Sequence, residues 1–301
     1  MALLCLSALL AGAMNSIAGG GTLLTFPSLL AALTAGGFAP DVASVTANAT
    51  STVSLLPGSV AGAWGFRREL QTARRWLGLL LIPSLLGGIT GTLLVTELDP
   101  KWFGALVPWM ILVAATLYLL QPLIARWTGI GLPHAPPTGL TLTGVTLFQF
   151  LVGLYGGYFG AGIGILMLSS LALMGLGDIH RMNALKTILA SAINSMSVVI
   201  FVAKGIVVWP YAIPMAAAAI AGGYFGARLS RRLNRTLMRW VVIAIGYGLA
   251  IYFFAKASPA SRLPESPVTR SKNDPIVAVA STAADQGPAS RGFSPPRPPG
   301  Q

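Results

Sequence analysis

Asn15-Ser16-Ile17-Ala18-Gly19-Gly20-Gly21-Thr22-Leu23-Leu24 interrupts an apolar run near the start of the chain, and Gly156-Gly157-Tyr158-Phe159-Gly160-Ala161-Gly162-Ile163-Gly164-Ile165-Leu166 interrupts another past its middle. Glycine gains little from helix formation and leaves backbone amides open to a ligand or a neighbouring helix. Each stretch therefore reads as a break between two half-length apolar pieces. In a membrane, breaks at corresponding positions of two halves point to a transport site.

The composition places these breaks in a membrane. Of 301 residues 54% are hydrophobic and 9% charged, and the mean hydropathy is +0.72, against roughly 25% charged residues in soluble domains. The expected fold class is an all-α integral membrane protein. A net charge of +12 would suggest nucleic acid in a soluble chain, but most basic residues sit in short loops between apolar runs. That is an orientation signal, and it argues against a nucleic-acid partner.

A lone cysteine, Cys5, excludes an intrachain disulfide and a cysteine-built metal site, and His134 and His180 lie in different loops. No metal and no cofactor is expected. Residues 1–18 lack the positive region of a signal peptide and flow straight into the first break, so they read as part of the mature fold.

Outward from the first break, residues 2–18 and 22–36 are apolar pieces of 17 and 15 residues, each short of the ~20 of a straight span. They predict a broken hairpin, closed by a turn at Gly36-Gly37-Phe38-Ala39-Pro40-Asp41. A span at 42–64 follows, rich in Ser44, Thr46, Asn48, Thr50, Ser51 and Thr52. Such polarity suits protein or a water-filled path better than lipid. Further spans are expected at 76–96 and 103–124. The second half repeats the plan, with a hairpin at 140–177 and spans at 187–203, 208–228 and 238–255. Gly87-Gly88-Ile89-Thr90-Gly91 matches Gly222-Gly223-Tyr224-Phe225-Gly226, 135 positions on, and both pairs have the small-xxx-small spacing of packed helices.

Loop charge sets the relation of the halves. The loop at 67–75 carries four arginines after the first full span, whereas the segment from Arg228 to Arg239 carries five after the second. A hairpin plus three crossings is an odd count, so the halves are expected to be inverted repeats with both termini outside. The domains read as 1–124, a first membrane repeat; 125–139, a cytoplasmic linker; 140–256, a second repeat; and 257–301, a disordered Pro-rich tail.

Candidate chemistry is sparse. Asn183, Lys186 and Asn194 fall on roughly one helical face with Ala190 between them, at the start of a span. Two amides and a cation suit an anion path, although a lysine near a span end also snorkels to the interface. A helix restarting after Gly19, Gly20 and Gly21, or after Gly160, Gly162 and Gly164, offers free amides and a positive dipole end to an oxyanion. The same glycines would also permit close helix packing. Neither stretch has the spacing of a nucleotide loop. All acidic residues of the membrane part, Asp41, Glu69, Glu97, Asp99 and Asp178, lie in loops, so no catalytic residues are expected.

These stretches resemble the TauE/SafE family of membrane proteins. The resembling residues are 15–21 with Pro27, Val42 to Asn48, Gly153 to Gly164, Asn183 with Lys186 and Asn194, and Gly222 to Arg228. The resemblance covers about residues 11–250. It implies a secondary transporter for a small sulfur-containing anion such as sulfite, thiosulfate or a sulfonate, in the inner membrane of a bacterium. It also implies that both breaks, Thr46 and Asn48, and Asn183, Lys186 and Asn194 line the path. Ala161 stands where the family commonly has proline or glycine, and the tail has no counterpart. The rival readings are a membrane-embedded accessory or structural subunit and a sulfur-handling membrane enzyme; self-association into a homo-oligomer stays open.

Overall fold

The computed structural model describes residues 1–17, 20–65, 74–127, 139–173, 179–229 and 235–257. Among them every regular element is an α-helix. In chain order these are α1 (Ala2–Ile17), α2 (Thr22–Ala35), α3 (Pro40–Gly65), α4 (Arg74–Glu97), α5 (Pro100–Trp127), α6 (Gly139–Tyr158), α7 (Ile163–Leu173), α8 (Ile179–Ala203), α9 (Trp209–Leu229) and α10 (Arg235–Ala257). Met1–Ala257 forms one compact unit. The expected tail, most of the linker, the arginine-rich loop at 67–73, Asp178 and Gly19 lie outside the described residues.

Each expected half is thus a broken hairpin followed by three long helices. Segments within α4, α5 and α8 are long and apolar enough to cross a membrane: Arg75–Glu97, Pro100–Ile124 and Arg181–Ala203. The hairpin limbs α1, α2 and α7 carry shorter apolar stretches, as the interrupted runs require. Large side chains such as Ile82, Trp109, Leu147, Val199 and Ile213 are exposed on outer faces, where lipid tails would receive them at no hydrophobic cost.

Two of the boundaries that differ from the sequence reading bear on the candidate residues. Helix α8 begins at Ile179, eight residues before the expected 187, so Asn183 and Lys186 sit within the helix rather than at its start. Polar His180 and Arg181 suggested loop, but charge at a membrane surface does not end a helix. Helix α6 runs through Gly156 and Gly157 to Tyr158, which narrows the second break to residues 159–162.

Why Gly157 sits inside a helix is answered by what it touches. A Cβ on Gly157 would collide with the carbonyl of Gly88 on α4, and Cβ atoms on Gly87 and Gly91 would collide with the Phe150 and Leu154 carbonyls of α6. Backbones meet here with no side chain between them, which is how small residues drive helix association in lipid. The other half reproduces the contact. A Cβ on Gly12 of α1 meets the Ala219 carbonyl of α9, and one on Gly222 meets that of Leu9. Gly153 and Ser84 stand in the same relation as Gly12 and Ala219. So the first limb of each half packs on the second long helix of the other.

The pairing is general. Helix α3 packs on α9 as α4 does on α8, and α2 touches α10 as α7 touches α5. Helices α5 and α10 run antiparallel: the Trp109 ring meets Phe254 at 5.0 Å, and two turns along α5 the Thr116 hydroxyl lies 3.0 Å from that of Tyr247.

Helix α3 is buried on every side from Ala43 to Ser51. Its hydroxyls are spent on protein. Ser51 shares a 2.5 Å hydrogen bond with Thr25 of α2, Thr50 Oγ1 accepts from the Val208 amide just before α9, and Ser54 donates to the Ala212 carbonyl. Of the two environments expected for this stretch, the structure shows protein contacts for these three.

Candidate functional site

Both breaks rest on α5, which places them at one depth. A Cβ added to Gly20 would run into the Tyr118 hydroxyl, while the Cβ position of Gly162 lies 3.7 Å from Cα and Cβ of Ala114. Ala114 and Tyr118 are one helical turn apart. An aromatic group joins the breaks from the side: Phe26 of α2 stands edge-on to Phe159 at 5.4 Å, and both lie near Phe103 of α5. All three rings are buried.

At the first break α1 ends at Ile17 and α2 restarts at Thr22. Asn15 Oδ1 accepts from the Gly21 amide at 2.9 Å, satisfying one of the donors a helix start leaves over. Gly21 also lies against the Ala11 carbonyl. Gly20 and Gly21 therefore have tight packing duties.

The second break is built differently. Gly160 and Gly162 have φ of +82° and +80°, the left-handed region where a Cβ is strained. The amides of Phe159 and Gly160 close α6 by donating to the Tyr155 carbonyl. After that the ladder stops: among the described residues no hydrogen bond is formed by the amides of Ala161, Gly162, Ile163 or Gly164, all of them buried. The first protein bond of α7 is from the Ile165 amide to the Gly162 carbonyl.

Two side chains beside this break carry unpartnered atoms. Asn48, 1% exposed, donates its Nδ2 to the Tyr158 carbonyl at 3.1 Å, and its Oδ1 is buried with no partner among the described residues. Since a carbonyl only accepts, the nitrogen must be the atom facing Tyr158 and the oxygen the atom left over. The Tyr155 hydroxyl is also buried without a partner among the described residues, and its ring packs against both hydrophobic clusters of the core.

The remaining expected residues stand apart. Thr46 is buried, and two positions from Asn48 on a helix it faces another way. Asn183, Lys186 and Asn194 are each half-buried on α8, with no side-chain hydrogen bond or ion pair among the described residues. Ile193 of α8 and Ile163 of α7 both approach Gly156, which sets Asn194 level with the second break. Lys186 lies eight residues from Asn194, about 12 Å along the helix axis. No hydrogen bond joins it to either break among the described residues.

Tyr118 and Tyr155 were not candidates from sequence. Tyr155 sits inside the resembling stretch, but one aromatic among apolar neighbours reads as core. Tyr118 carries no local signal at all, because its role is set by a glycine about a hundred positions away. Asn15 was visible within the motif, without its bond.

Residues 4–253 match the family model described as Sulfite exporter TauE/SafE. The chain belongs to the TauE/SafE family. It is 27% identical over 248 residues to a Haemophilus influenzae protein named a probable membrane transporter protein, covering 82% of this chain and 91% of that one. It is 26% identical over 239 residues to Escherichia coli YfcA and over 258 to Bacillus subtilis YunE, covering 79% of this chain in each case and 83% and 93% of theirs. Both carry the same designation. No solved structure matches the chain. As a TauE/SafE protein built of apolar helices, it is a membrane transporter.

Proposed function

We propose that this TauE/SafE protein moves a small sulfur-containing anion, sulfite, thiosulfate or a sulfonate, across a bacterial inner membrane by alternating access. The observation that carries the reading is the second break, where four consecutive buried amides at a helix start have no protein partner among the described residues. Such groups are costly when dry, and they favour negative charge through hydrogen bonding and the helix dipole together. Lys186, a half-buried cation with no paired carboxylate among the described residues, attracts the anion toward α8. Asn194, level with the break, and Asn183 hold it on the way.

We further propose that the halves are inverted repeats. The reciprocal packing of α1 on α9 and α6 on α4, and the antiparallel run of the corresponding helices α5 and α10, support that relation. So does the exposed ion pair between Lys204 and Glu97, which puts the ends of α8 and α4 on one side. With arginines inside, that side is external, and so are both termini.

The test is flux of labelled sulfite, thiosulfate and a small sulfonate into proteoliposomes, with Lys186→Met beside the parent. Saturable flux in the parent and background flux in a folded variant are expected. Normal flux in Lys186→Met would refute the role of the lysine, and no flux of any of them in folded parent would refute the substrate class.

A further inference from the structure

The unpartnered groups at the second break are not all of one kind. The amides of residues 161–164 and the Tyr155 hydroxyl can donate, and they suit anionic oxygens. Asn48 Oδ1 can only accept. It is held in place because the other atom of its amide is fixed on the Tyr158 carbonyl, three residues before Ala161, a chain distance of at most about 10 Å. A fully deprotonated oxyanion would repel that oxygen and leave it unsatisfied. A metal cation would need several further oxygens and would face the open N–H groups and the positive end of the α7 dipole. The carbonyls of Phe159, Gly160 and Ala161 also accept no bond among the described residues, so a requirement for sodium is part of the test below.

We propose that the second break binds an oxyanion that carries one proton of its own, and that Asn48 Oδ1 selects it by accepting that proton's hydrogen bond. Tyr155 and the amides of 161–164 bind the charged oxygens. This rests on the anion-transport reading and narrows it: the site takes a monoanion with an O–H, in preference to an anion of like shape that has none. A site built to bond a hydroxyl rejects the analogue lacking it more strongly than a merely apolar pocket does, because its own polar atom is left unpaired.

The experiment is equilibrium binding to the purified full chain in nanodiscs, at slightly acid pH, using two pairs of monoanions. Hydrogen sulfite is compared with methanesulfinate, which has a methyl in place of the hydroxyl, and bicarbonate with nitrate. The expected result is at least about ten-fold tighter binding of the hydroxyl-bearing member of the pair that fits, the worth of one good hydrogen bond. Asn48→Leu is expected to abolish the preference. Tyr155→Phe is expected to weaken both members alike by about ten-fold, with no loss of thermal stability in the ligand-free protein, since the hydroxyl removed bonds nothing there.

Equal binding within both pairs would overturn the proposal while leaving anion transport standing, as would a preference that survives Asn48→Leu or binding that requires sodium. If Asn48→Leu does not fold, the parent's preference and the uniform loss in Tyr155→Phe decide the matter. Absence of binding by any anion to folded parent would instead remove the transport reading on which the proposal rests.

Discussion

The two glycine breaks come from similar stretches of sequence and meet the same helix, yet among the described residues they are finished differently. At the first, a side chain takes an amide, Asn15 on Gly21, and the Tyr118 hydroxyl covers Gly20. At the second, glycines in the left-handed region turn the chain and the following amides stay open beside Asn48 and Tyr155. The difference teaches that a helix break in a membrane is not in itself a binding site. What decides is whether the protein spends the freed backbone groups on itself.

The comparison can be broken most sharply at Gly20. Its replacement by leucine drives a side chain into Tyr118, an overpacking of about 3 kcal/mol or more. Thermal unfolding should show a large fall in stability, partly restored by Tyr118→Ala in the double variant. No fall would mean that the first break is as open as the second.

Gly162→Ala should act in the other currency. The Cβ finds ordinary contact distance to Ala114, so the penalty is the left-handed backbone alone, about 1–2 kcal/mol. Because the turn aims the free amides, anion affinity should fall more than stability does, by at least about ten-fold. Equal affinity to the parent would separate this turn from binding.

Asn15→Ala sharpens the contrast from the first break. It should cost about 1 kcal/mol, the usual worth of a side chain on a helix start, with anion affinity unchanged in the same titration. Smallest of all, Lys204→Met removes an exposed ion pair with Glu97, worth less than about 1 kcal/mol. Flux at saturating anion should be unaltered, and a marked change would give that end of α4 and α8 a part in the cycle.

Much of the fold was legible because its causes are local. Apolar run lengths gave the long helices and the short limbs, and the small-xxx-small spacing at Gly87/Gly91 announced backbone contact. The reading erred where local signals are ambiguous. Gly156 and Gly157 looked like part of a break, but in lipid a glycine inside a helix is favoured when a neighbouring backbone replaces the missing side chain, as Gly88 does for Gly157. The hydroxyls of α3 signalled polarity without saying whether protein or water would meet it. In the candidate site, the free amides followed from the glycines, whereas the contributions of Tyr118 and Tyr155 depend on approaches between distant helices that leave no period or motif. Lys186 stood out by its charge, but its separation from the break needed the register of α8 against α7.

The close approach of α1 to α9, and of α6 to α4, has a mechanical consequence. Backbones in direct contact leave no cushion of side chains to slide or tilt on, so each such pair behaves as one rod bundle. Each bundle draws on both ends of the polypeptide. The rigid bodies of any rocking motion are therefore stitched across the linker, and two fragments severed there, made together in one cell, would have to exchange their first helices before either could turn.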